Sequence, residues 1–116
     1  MELVKEEYLR FHFKERVIMN DIFLLLNKIK ENPYIYIGKP SLERLHAFIS
    51  GYQCSERENN LEYRGCLEGF NEFVGDHYGL HTNHNWANMI DFFSTSEQEA
   101  FDTFYALLDD FIQTKH

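Results

Sequence analysis

Cysteine, proline and long apolar runs are all scarce in this chain. Cys54 and Cys66 are the only cysteines and Pro33 and Pro40 the only prolines in 116 residues. Thiols this sparse build no disulfide framework, which argues against a small secreted scaffold and for a reducing cytoplasm. The longest apolar run, Ile22 to Leu26, falls far short of the roughly 20 residues a membrane-spanning helix needs. The opening Met1-Glu2-Leu3-Val4-Lys5-Glu6-Glu7 lacks the basic and apolar regions of a signal peptide. A cytoplasmic protein without a membrane segment is therefore expected.

The signatures of common chemistry are missing as well. There is no glycine-rich phosphate loop, no Gly-x-Ser-x-Gly elbow, no His-Glu-x-x-His pair and no Cys-x-x-Cys, so no catalytic residue and no cofactor is assigned. Basic residues are scarce in one half only. Residues 1–58 hold nine Lys+Arg against nine Asp+Glu, whereas residues 59–116 hold two, Arg64 and Lys115, against ten, which accounts for the whole net charge of -8. Such a field repels phosphate backbones and anionic lipid, so neither nucleic acid nor membrane is an expected partner and a basic protein is.

What the chain has in quantity is core material: 44% hydrophobic and 16% aromatic residues, enough for one packed domain spanning 1–116. Ile18, Ile22, Leu25, Leu26 and Ile29 recur at three- and four-residue steps and predict a helix over Arg16 to Lys30, ended by Asn32-Pro33. Upstream, the apolar residues from Tyr8 to Val17 fit strand or helix, with helix favoured. The run Tyr34-Ile35-Tyr36-Ile37 is β-prone but has no second strand to pair with, so an extended connector is expected. Ser41 then caps a second helix to about Gln53, carrying Leu42, Leu45, Phe48, Ile49 and Tyr52 on one stripe. The polar segment Ser55 to Asn60 reads as a solvated loop. A third helix runs from Leu61 through Leu67, Phe70 and Val74 to Tyr78, ended by Gly79. Trp86, Met89, Ile90 and Phe93 suit a short helix, and Ser96 with Glu99 forms a capping box that opens the last one, through Phe104 to Ile112. The pattern predicts an all-α single domain of four to six helices.

Within the third helix, Glu68, Glu72 and Asp76 stand four residues apart, where like charges cost about 0.2–0.5 kcal/mol per pair. Glu62 extends this acidic surface, and Gly65 and Gly69 leave a shallow strip beside it, each glycine costing about 1 kcal/mol relative to alanine. An ordinary solvated face explains the carboxylates equally well; the functional reading is a docking surface for a cationic partner. Glu97 and Glu99 suit the positive end of the last helix, while Asp109 and Asp110 oppose the dipole near its other end and join the partner-binding candidates. Asp76, His77, His81 and His84 have metal-ligand chemistry, but Gly79 disrupts the spacing, and surface histidines without a metal are the simpler reading. Cys66 reads as a small buried residue, and the many phenylalanines as core.

The stretch Pro33-Tyr34-Ile35-Tyr36-Ile37-Gly38-Lys39-Pro40-Ser41-Leu42, followed by Leu45 and Phe48-Ile49-Ser50-Gly51-Tyr52, resembles small bacterial immunity proteins of contact-dependent growth inhibition and polymorphic toxin systems. Phe70-Asn71-Glu72-Phe73-Val74, Trp86-Ala87-Asn88-Met89-Ile90 and Ser96 through Phe111 continue that resemblance over roughly residues 33 to 112. It implies a non-enzymatic inhibitor that binds the C-terminal domain of a toxin, often a nuclease, and covers its basic substrate surface. It transfers no individual binding residue; Glu62, Glu68, Glu72, Asp76, Asp109 and Asp110 rest on charge alone. Two other readings compete: an acidic regulatory or scaffolding module for another basic protein, and a small hydrolase or metal enzyme using Asp76 and the three histidines.

Overall fold

Ile22, Leu26 and Ile29 fall on one face of a helix and are all buried, so that face belongs to the core. The computed structural model describes residues 22–59 and 67–115, and its described residues form six helices and no strand, the all-α architecture that the apolar periodicity predicts. We label them α1 (Ile22–Glu31), α2 (Pro33–Tyr36), α3 (Leu42–Glu58), α4 (Phe70–Tyr78), α5 (Trp86–Phe92) and α6 (Glu97–Lys115). Among these residues no helix is long and apolar enough to cross a membrane. The part of the first predicted helix before Ile22, the ambiguous segment upstream of it, and Glu62, Gly65 and Cys66 lie outside the described residues.

Pro33 stops α1, whose last-turn Lys28 and Lys30 suit the negative end of its dipole. The following Tyr34-Ile35-Tyr36 is not the extended connector its β-propensity suggests. Pro33 sits at the first helical position, where its missing N–H costs nothing, and Ile37 N–H closes one turn on the Pro33 carbonyl at 2.8 Å. With no strand among the described residues to pair with, the backbone satisfies its hydrogen bonds locally.

Buried Ser41 caps α3 by accepting the Arg44 N–H at 3.3 Å. The helix then runs five residues past Gln53, through the polar stretch expected to be a loop. Extending an existing helix needs no apolar side chain, only one more hydrogen bond per residue. Its end is set instead by Asn59, whose side-chain amide donates to the Ser55 carbonyl at 2.8 Å and to the Ser55 hydroxyl at 3.2 Å.

The third predicted helix is interrupted at Gly69, and its part from Leu61 to Cys66 lies outside the described residues. Leu67 to Gly69 form a turn, Gly69 adopts φ 87°, and α4 begins at Phe70. A left-handed residue cannot lie inside a right-handed helix, so Gly69 is the hinge of a turn and not part of a shallow helical strip. Gly79 closes α4 as the sequence predicts, with Gly79 N–H on the Asp76 carbonyl and Leu80 N–H on that of Gly75. That reversal brings the Leu80 carbonyl within 2.7 Å of where a Cβ on Gly75 would lie.

Asn85 caps α5 by accepting the Asn88 N–H at 2.8 Å, while the Asn71 side-chain oxygen on α4 accepts the Trp86 N–H at 2.7 Å. At the start of α6, Ser96 accepts the Glu99 N–H at 3.0 Å, but the Glu99 carboxylate answers to Thr95, taking its N–H and its hydroxyl at 2.9 Å each. The capping box is thus displaced by one residue on its return arm. Glu97 pairs with Lys39 at 3.3 Å across the exposed surface.

Phe70 is fully buried, and its ring meets Trp86, Phe104 and Phe111 edge to face at 5.5, 5.7 and 5.2 Å, while Trp86 stacks on Phe104 at 4.8 Å. This joins α4, α5 and α6. Across the core, the Tyr105 hydroxyl donates to the Leu26 carbonyl at 2.7 Å and fastens α6 to α1.

Phe104→Ala should lower unfolding free energy by about 3–5 kcal/mol in urea titrations, since it leaves a cavity at the centre of this cluster. Gly75→Ala should also destabilise, by about 1–3 kcal/mol, because its Cβ meets backbone that cannot yield without reopening the end of α4.

Candidate functional site

The acidic candidates divide by position. Glu72 lies in the first turn of α4 and Asp76 in its last, both exposed, and they line one cleft of about 430 Å³ together with Asn71, His81 and Asn83. Glu68 precedes the left-handed Gly69, so it is not the third member of an i, i+4 helical row. It faces a second cleft of about 420 Å³ with His46, Ser50, Gln53 and Trp86. Asn71 borders both clefts, which therefore adjoin. Asp109 and Asp110 are exposed on α6 and line neither.

This arrangement changes the energetics inferred from spacing. Glu68 and Glu72 sit at the positive end of α4, where the dipole favours them; only Asp76, near the negative end and one turn beyond Glu72, is placed at a cost. What sets this surface apart is therefore accumulated charge more than strain along a helix. From Leu67 to Thr114 there are nine carboxylates and no lysine or arginine.

The histidines separate. His77 packs edge-on against Tyr78 at 4.7 Å, His81 lines the acidic cleft, and His84 lines a third depression. Among the described residues no three His, Cys, Asp or Glu side chains converge as metal ligands would. Cys54 is an exposed free thiol on α3.

That third depression, about 370 Å³, is formed by Leu80, Met89, Phe92 and Phe93 with Thr82 and His84 on its edge. Phe92 is 79% exposed and Phe93 46%. The apolar period places Phe93 on the buried stripe of its helix, but it caps α5 and stacks on Tyr78 at 4.5 Å. Phe92 falls off the stripe of Trp86, Met89 and Ile90, the one sequence signal that marks it as outward facing. His46, edge-on to Trp86 at 5.1 Å, carried no sequence signal.

Electrostatics follow the same sign. Burial, then Glu43 and Glu97, hold the Asp91 carboxyl above the usual carboxylate range. Burial and then Glu99 raise the Tyr78 phenol. Burial alone lowers His46, keeping its imidazole neutral more readily than in water. No protein-family model, no curated protein and no solved structure matches the chain.

A raised carboxyl pKa means that ionised Asp91 costs stability at neutral pH, and that the cost disappears as pH falls through the raised value. Asp91→Asn should therefore be more stable than the parent at pH 7, with the gap closing under acid conditions. Thermal melts of both proteins from pH 7 to pH 4 check this; a gap independent of pH contradicts it.

Proposed function

We propose that this protein is an immunity protein that binds a cognate bacterial toxin domain, of the nuclease kind, and occludes the basic surface by which that toxin reaches its substrate. The observation that carries the reading is the uninterrupted acidic stretch from Leu67 to Thr114, nine carboxylates without a lysine or arginine. Glu72 and Asp76 share one cleft and Glu68 lies in the adjoining one. A nuclease must present cationic residues to nucleic acid, and an acidic helical surface complements the same residues, gaining speed from steering and selectivity from matched charge. The resemblance of residues 33 to 112 to immunity proteins supports the same role. Binding alone suffices for it, so the proposal includes no enzymatic step, metal or cofactor.

The test is co-expression with the toxin domain encoded beside this gene, followed by affinity measurements at low and high salt. The parent should restore growth and bind with an affinity that falls as salt rises. Replacing Glu68, Glu72 and Asp76 together by alanine should slow association and flatten the salt dependence, and a carboxylate that pairs with a buried toxin Lys or Arg should cost about 2–5 kcal/mol of binding. Since all three are exposed, the variant should remain folded. Unchanged affinity and salt slope in a folded variant would place the interface elsewhere.

A further inference from the structure

Leu80, Thr82 and Met89 line both the acidic cleft and the apolar depression beside it. The two are therefore one groove, with Glu72 and Asp76 at one end and Phe92 and Phe93 at the other. The aromatic end is held in shape from beneath. Phe93 lies parallel to Tyr78, the Phe92 ring meets it edge-on at 5.0 Å, and the Ser94 hydroxyl fixes the end of α5 by donating to the Ile90 carbonyl at 2.7 Å. A phenylalanine ring left 79% exposed gives up free energy that burial would recover, and an apolar patch rimmed by polar groups is characteristic of a docking surface.

We infer that this groove takes a protein segment in which a large aliphatic or aromatic side chain adjoins a lysine or arginine, the apolar group seating against Phe92 and Phe93 and the cation against Glu72 and Asp76. The inference rests on the proposed binding of a cationic protein and adds to it an apolar anchor. Charge selects this occupant. Asp91 precedes Phe92 in the chain and the Glu99 carboxylate is held on Thr95, two residues past Phe93, so both carry the negative field up to the aromatic end. A second copy of the chain, docking by the same face, would set carboxylates against carboxylates, and nucleic acid or anionic lipid would be repelled. Division of labour follows: the carboxylates govern encounter and salt dependence, and the aromatic end governs residence.

Two labelled peptides serve as probes, a lysine-rich decapeptide with one central phenylalanine and the same peptide with alanine there, titrated at fixed salt into the full chain and its variants. The parent should prefer the phenylalanine peptide by about tenfold or more. Phe92→Ser, at an exposed position and with an unchanged helical spectrum, should erase that preference while leaving the affinity for the alanine peptide as it was. Glu72→Gln combined with Asp76→Asn should weaken both peptides and keep the preference. If the parent shows no preference, or Phe92→Ser keeps it, the apolar anchor is wrong. If the anchor behaves as stated but the charge variant binds both peptides as well as the parent, the cationic half fails instead. Sedimentation that shows a dimer lost on Phe92→Ser, with neither peptide competing for it, assigns the groove to a second copy and overturns the inference.

Discussion

The ring of Phe70 is the point on which the second half of the molecule turns. It has no exposed surface and touches Trp86, Phe104 and Phe111 edge to face, so the directions of α4, α5 and α6 are set by how four aromatic faces and edges fit together. Such contacts favour particular angles beyond simple burial. The surface consequence is direct. Glu72 and Asp76 stand on the outer side of the helix that Phe70 and Val74 anchor, and Phe92 and Phe93 end the helix that Trp86 anchors. The acidic and apolar ends of the groove keep their spacing because the residues beneath them cannot move independently.

Much of this fold can be read from apolar period and capping chemistry. Leu42, Leu45 and Ile49 behind Ser41, and Phe101, Phe104, Leu108 and Phe111 behind Ser96, announce their helices and their buried faces together. The failures are local and physical. Tyr34 to Tyr36 have β-propensity but no strand partner among the described residues, and a proline-initiated turn wins. Ser55 to Glu58 lack apolar residues, yet propagation carries α3 through them until Asn59 stops it. The apolar period continues across Leu67 and Phe70, but Gly69 between them turns left-handed, and periodicity does not register backbone sign.

The candidate site is only half visible in the sequence. Charge can be counted without coordinates, and the acidic second half follows from counting. Which carboxylates share a cleft cannot be counted, because the answer depends on the turn at Gly69 and on the chain reversal from Gly75 to Leu80. Phe92 shows the complementary difficulty. In a chain this rich in phenylalanine, each ring reads as core by default, and only its angular position on a helix whose other face is fully used marks it as outward facing.

The bond from Tyr105 to the Leu26 carbonyl joins residues 79 positions apart, and that separation bears on how the protein is made. As the nascent chain emerges in order, α1 through α5 appear before α6 supplies Phe101, Phe104, Tyr105, Leu107, Leu108 and Phe111. Until then Phe70 and Trp86 lack the Phe104 ring, and the Leu26 carbonyl lacks the Tyr105 hydroxyl. Until α6 arrives the apolar faces of the early helices are incompletely covered, the condition under which partly folded chains associate. Cooperative closure comes only when the last helix arrives, so a ribosome stalled before it would hold a chain unable to complete its core.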